Sequence, residues 1–212
     1  MRCTDIMRRL EVLAPLGFAE QWDNVGLLAG RSAKEVKSVY LAVDATDEVI
    51  ADAVDAGADM LITHHPLIFS PLKSITAEHF IGRRVLKLLQ ADICYYAMHT
   101  NFDVMGMADA AADELRLLDR QVLEITCEDE IAKEGIGRYG RLPNVMNLSQ
   151  CAAYVKEVFR LPAVRVYGEM NERIEIAAVS PGSAKSVVSS AVQTGVDVLI
   201  SGDIDHHMGI DL

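Results

Sequence analysis

The sequence predicts an α/β fold of duplicated βα units, forming two similar halves with mainly parallel sheets. Three observations predict it. Apolar strand-like runs alternate with amphipathic helical runs between residues 39 and 118, the pattern of a parallel sheet covered by helices. The segment AVDAGADMLIT at 53–63 recurs as AVQTGVDVLIS at 191–201, with six of eleven positions identical. Half of the 212 residues are hydrophobic and 24% are charged, which suffices for one large domain or two small lobes whose cores need no disulfide.

In chain order, DIMRRLEVLA at 5–14 sets Ile6, Leu10 and Leu13 at helical spacing, and Pro15 and Gly17 stop that helix. QWDNVGLLAG follows, with turn chemistry at Asp23-Asn24 and Gly26. VYLAV at 39–43 is a strand. The helix at 47–56 takes Thr46 as N-cap and Gly57 just past its end. MLIT at 60–63 and ICYYAM at 93–98 are strands, and 78–90 and 107–118 are helices. From about residue 126 the pattern breaks. EDEIAKEGIGRYGRLPN is charged and glycine-rich and reads as a loop or strand-turn excursion. A helix at 148–160, short strands VRVYG and IEIAAVS, and a final βα unit complete the chain. The expected division is a first half at 1–126 and, at 127–212, a linker region plus a second α/β half that ends short of a full unit.

In the repeat, Val49, Ile50, Ala53 and Val54 correspond to Val187, Val188, Ala191 and Val192, each set on one helical face. Two halves facing each other about a pseudo-two-fold would bring their strand C-termini, Thr63-His64-His65 and Ser201-Gly202-Asp203, to a common cleft.

Net charge is −11, and no basic cluster exceeds Arg83-Arg84 with Lys87 nearby. The electrostatic footprint of a nucleic-acid binder is missing. Cys3, Cys94, Cys127 and Cys151 form no C-x-x-C and read as reduced, partly buried thiols of a cytoplasmic protein. The N-terminal twenty residues lack the apolar run of a signal peptide, and no segment has transmembrane length.

Three motifs carry ligand chemistry. Leu61-Ile62-Thr63-His64-His65-Pro66 places two histidines directly after a buried strand, where open α/β sheets hold their ligands. Adjacent side chains of an extended chain point opposite ways, and Pro66 restricts His65 to extended conformations. The pair therefore suits two metals, each receiving one imidazole. His99-Thr100-Asn101-Phe102-Asp103 follows the next strand on the same sheet edge. Asp103 suits a bridging carboxylate, and His99 suits a ligand or a group supporting one. An Asx-type cap on the helix from Met107 is the structural reading of the same run. Ser201-Gly202-Asp203-Ile204-Asp205-His206-His207 ends the repeated strand and contains Asp-His-His, a string found in a phosphoesterase family whose early Asp-rich motif is here reduced to Asp44. The metal site is thus expected in the cleft, with His64, His65 and Asp103 as its ligands.

Other motifs read as structural. Gly135-Ile136-Gly137-Arg138-Tyr139-Gly140 fits G-x-G-x-x-G, but no buried strand precedes it and Pro143 stands where a helix should begin. Ser180-Pro181-Gly182-Ser183 reads as a helix N-cap, with phosphate binding by its backbone as the alternative. Trp22 reads as core or loop packing.

Together, Gln21 to Leu27, Asp59 to Pro66 with Phe69, His99 to Asp103, Gly135 to Leu142 and Asp197 to His207 resemble the Nif-three-like, YbgI-type family of dinuclear metal proteins, many named GTP cyclohydrolase 1 type 2 homologs. The resemblance spans almost the whole chain. It implies a duplicated α/β fold, a toroidal hexamer and two divalent metal ions per subunit, often zinc, iron or manganese. By position, His64, His65 and Asp103 match direct ligands, while His99, Asp203 and His207 match residues lining the same cavity. Asp44, at the end of the first strand, is added from geometry. The family pattern continues past His207 with a strand and a Gly-His…Glu segment supplying two more ligands. The sequence ends at Leu212, which implies a weaker, more water-filled site.

The first functional expectation is a metal-dependent hydrolase of the GTP cyclohydrolase kind on a small nucleotide-like substrate, with His99 or His207 as catalytic proton carriers. A second is a non-catalytic metal-binding oligomeric scaffold or regulator. A third is an Asp-His-His phosphoesterase dependent on manganese.

Overall fold

The computed structural model describes residues 1–128 and 132–211. Two compact units divide the chain, Met1–Phe102 and Asp103–Leu212. The division expected near residue 126 falls inside a strand of the second unit.

The first unit runs α1 (Cys3–Leu13), a 3₁₀ turn at Leu16–Phe18, β1 (Gly26–Ala29), β2 (Val39–Ala42), α2 (Asp47–Asp55), β3 (Met60–Thr63), α3 (Phe80–Gln90), β4 (Cys94–Ala97) and α4 (Thr100–Phe102). Its sheet has the order β1-β4-β3-β2. The β2–β3 and β3–β4 pairs are parallel and β1 is antiparallel to β4. Every residue of β3 and β4 is buried, which is why both read as continuous apolar runs rather than alternating ones. Thr46 caps α2 as expected, its Oγ1 accepting from Val49 N at 3.2 Å. Ile50, Ala53, Leu61, Val85, Leu88, Ile93 and Tyr95 form the core between helices and sheet.

The second unit opens on a π-helical turn at Asp103–Met107 and continues with α5 (Ala108–Glu114), β5 (Leu118–Glu128), β6 (Lys133–Asn147), α6 (Leu148–Val158), β7 (Arg173–Ser183), a 3₁₀ turn at Ala184–Ser186, α7 (Val188–Thr194), β8 (Val198–Asp203) and α8 (His206–Asp211). Sheet order is β5-β6-β7-β8, antiparallel except for the parallel β7–β8 pair. The mainly parallel sheet expected here is therefore corrected to a mainly antiparallel one. The run expected as a loop pairs as the long ribbon β5–β6. Glu124, Glu128 and Lys133 belong to a strand pair with one solvated face, where charged residues are compatible with pairing. Residues 129–131 of that run lie outside the described residues. VRVYG at 164–168 forms no strand, whereas IEIAAVS lies within β7. Ser183 acts as an N-cap, its Oγ accepting from Lys185 N at 3.3 Å.

The G-x-G-x-x-G string lies wholly inside β6. Its glycines serve the sheet. A Cβ at Gly135 would run into the Glu124 carbonyl and one at Gly140 into the Leu118 carbonyl, while Gly137 has φ +71° with the Val179 carbonyl close by. Gly135→Ala is expected to destabilise the protein by about 3 kcal/mol, the upper end for overpacking against unyielding backbone. An unchanged urea midpoint would refute this.

The repeat is visible in hydrogen bonds as well as sequence. Asp59 Oδ2 accepts from Lys37 N and Ser38 N at 2.8 and 3.1 Å, fastening the start of β3 to the start of β2. Asp197 Oδ2 accepts from Glu175 N and Ile176 N, both at 2.8 Å, fastening β8 to β7 in the same way. Beyond the strand, Thr63 Oγ1 donates to the His65 carbonyl at 2.8 Å, and Ser201 Oγ to the Asp203 carbonyl at 3.3 Å. Among the described residues, no helix is long and apolar enough to cross a membrane.

Candidate metal centre

Three histidines of the first unit converge at the C-terminal ends of β3 and β4. One ligand atom from each of His64, His65 and His99 lies within 4.8 Å of the others. Their ring centroids are 4.9 to 5.6 Å apart.

The backbone explains how neighbours on the chain reach one place. Extended structure ends at Thr63, and residues 64 and 65 bend. Thr63 Oγ1 and Tyr95 Oη both donate to the His65 carbonyl, at 2.8 and 3.1 Å, while His65 N donates to the Val43 carbonyl at 3.0 Å. The expectation that the two imidazoles point opposite ways is thereby corrected, because the bend replaces the strand geometry on which it rested.

Each ring is held through the same nitrogen. His64 Nδ1 lies 2.9 Å from the Met98 carbonyl, His65 Nδ1 lies 2.7 Å from Asp44 Oδ1, and His99 Nδ1 lies 2.9 Å from Asp23 Oδ1. A carbonyl or carboxylate only accepts, so each Nδ1 carries the proton and donates. That tautomer makes Nε2 the lone-pair nitrogen in all three rings, the arrangement of metal-ligating histidines with oriented outer partners.

Asp23 is the firmest of these partners, with a side chain of zero exposure. Besides His99 it accepts from Thr100 N at 3.0 Å, from Thr100 Oγ1 at 2.5 Å and from Asn24 N at 2.8 Å. Burial raises its pKa, yet the hydrogen bonds from His99 and Thr100 outweigh that and hold the carboxyl at about 2. Burial lowers the His64 pKa below its ordinary value, with the His65 and His99 rings adding to the effect against the Met98 carbonyl. Both shifts keep the group in its ligand-ready form near neutral pH. Asn101 fixes the backbone beside them, accepting from His99 N at 3.0 Å and donating to the Ala14 carbonyl at 2.8 Å.

The structure thus brings together His64, His65 and His99, with Asp44 behind one of them. Asp103 stands at the first position of the second unit, half-buried on the π-helical turn. Asp203 ends β8, and His207 lies in α8 with its ring 5.6 Å from that of His206. Asp23 was legible only as turn chemistry. Its signal was its place in the Trp22-Asp23-Asn24 block. Trp22 does not fill a core, being 57% exposed. Cys3, Cys94 and Cys151 are buried and Cys127 exposed, all as free thiols. A concavity of about 910 Å³ in the second unit, between α6 and β8, is lined largely by apolar residues such as Leu148, Val155, Val198 and Ile200 and includes no histidine, so it is not the metal candidate.

Comparison with known proteins agrees with this architecture. The profile of the family described as Duf34/NIF3 (NGG1p interacting factor 3) matches residues 1–212. A protein of Clostridium perfringens named GTP cyclohydrolase 1 type 2 homolog is 33% identical over 213 residues, covering 100% of this chain and 80% of its own length. A Streptomyces coelicolor protein of the same name is 35% identical, covering 97% of this chain and 74% of its own. The crystal structure of a hypothetical protein from Staphylococcus aureus superposes with a TM-score of 0.88 at 33% identity, over 100% of this chain and 82% of that one. A Bacillus cereus protein related to NIF3 has the same fold, with a TM-score of 0.92 at 24% identity over 100% of this chain and 85% of that one.

Proposed function

The chain belongs to the Duf34/NIF3 family, and on that premise we propose that it is a divalent-metal-dependent hydrolase of the GTP cyclohydrolase kind. The observation that carries this reading is the matched orientation of His64, His65 and His99, each with Nδ1–H held by an acceptor. Three neutral imidazoles suit a borderline cation such as zinc, iron or manganese. Asp103 is assigned as the carboxylate ligand on the family resemblance, four residues beyond His99 in the chain. Two ions per subunit and a hexameric assembly belong to the same proposal.

A divalent cation at such a site lowers the pKa of water and polarises the electrophile. The chain's own residues do the rest. Asp23 and Asp44 fix two of the rings and offset part of the cation's charge. His99, with a side chain 16% exposed, is placed to hold or pass a proton at the edge of the group. His207 is the second proton carrier proposed, on resemblance alone. The relatives' shared name suggests a purine nucleotide as substrate.

The test is metal analysis of the purified full chain together with GTP turnover, with and without chelator and with zinc or manganese restored. At least one equivalent of metal and chelator-sensitive ring opening are expected. Metal without turnover would favour the oligomeric scaffold, and protein that takes up no metal would end both readings.

A further inference from the structure

We propose that Trp22 and Phe69 form an aromatic platform at the rim of the three-histidine group that stacks a planar heteroaromatic ring. The substrate class would then be set by its ring rather than by its phosphate. This deepens the hydrolase reading and rests on it for the chemistry that follows binding, though the platform can be tested separately.

The two side chains are 57% and 50% exposed. Their ring centroids lie 5.6 Å apart at 43°, and the indole meets the His99 imidazole edge-on, at 6.0 Å and 74°. Aromatic surface left in water contributes little to the core, whereas an indole and a phenyl ring beside one another offer the π-faces on which bases stack.

The platform is anchored, although its rings are open. Trp22 precedes Asp23, whose buried carboxylate is bonded to His99 and Thr100. Phe69 follows Ile68, whose carbonyl accepts from Asn24 Nδ2. Each aromatic residue is thus one position from a fixed point, and the two fixed points belong to one network with the histidines. Such preorganisation reduces the ordering cost of binding.

Electrostatics favour the ring over the phosphate. The groups directly behind the histidines are the carboxylates Asp23 and Asp44, and the chain as a whole carries −11. An uncharged ring meets no such repulsion.

Trp22 is the chain's one tryptophan, so its fluorescence reports on the platform directly. The metal-loaded full chain is titrated with guanosine, which has a ring and no phosphate, and with inorganic triphosphate, which has the reverse. Guanosine is expected to quench Trp22 saturably and triphosphate to leave it unchanged. Phe69→Ala should weaken guanosine binding at least tenfold by the same readout. Trp22→Ala should abolish it by equilibrium dialysis. Both exposed-site variants should keep wild-type circular dichroism and metal content. Metal-loaded protein that ignores guanosine, or variants that bind it as well as wild type, would overturn the platform and leave the metal centre standing. Chain that binds guanosine but takes up no metal would sink the hydrolase reading alone.

Discussion

Replacing His64 by alanine is expected to lower the affinity of the full chain for zinc or manganese by about 100-fold or more, with circular dichroism unchanged. Loss of a partner behind a ligating histidine typically weakens metal binding about 10–100-fold, and removing the ligand itself should exceed that. His64 is the ring whose burial most favours the neutral form, and it donates to a backbone carbonyl rather than to a carboxylate. Its substitution therefore deletes one lone pair without adding a stray charge. The Met98 carbonyl loses a partner, which costs about 1–3 kcal/mol at most, within the margin of a domain of this size. Asp44→Asn provides the graded control, because the His65 partner is itself 56% exposed and its loss should fall at the low end of the 10–100-fold range. Elemental analysis after dialysis against buffered free metal checks both variants. Equal metal retention by His64→Ala and wild type would show that the three imidazoles do not form the site.

Arg138→Met is expected to destabilise the chain by about 3–5 kcal/mol, the range for breaking a buried charged network. Arg138 has a side chain 6% exposed and meets Asp109 through two nitrogens, at 2.8 and 3.0 Å. Its remaining donors satisfy the Gly135, Gly137 and Val104 carbonyls and the Glu134 carboxylate. Methionine fills part of the volume but leaves three carbonyls and two carboxylates without that donor. Asp109 is half exposed, so water recovers part of the loss and the backbone carbonyls carry the rest. With an m-value of about 1–3 kcal/mol/M, the urea midpoint should fall by about 2 M. A shift below about 0.5 M would mean that the network is already hydrated.

The first unit was legible because its strands are buried on both faces and its helices carry their punctuation. β3 spans the residues read from the apolar run, and α2 begins at the cap read from Thr46. The second unit was harder. In β5 and β6 the charged residues stand on a solvated face and the glycines mark close strand approach, so composition spoke for a loop. At the metal centre, two histidines were legible from their place after a strand, and Asp44 from the end of its neighbour. Their shared direction was not, because it depends on a bend made by Thr63 and Tyr95, and Tyr95 is 32 residues away in the chain. Asp23 was hidden for the same reason. Its partners lie 76 and 77 residues further along, and no local spacing encodes a contact of that range.

The hydroxyl-to-carbonyl turn after β3 also occurs after β8, where Gly202 and Asp203 occupy the places of His64 and His65. One backbone shape is therefore made twice, once with imidazoles and once without. The scaffold does not need a cation to adopt it. Metal chemistry in this molecule is a decoration of one copy of an inherited corner, and changing which side chains stand there alters reactivity while leaving the strand exit as it is.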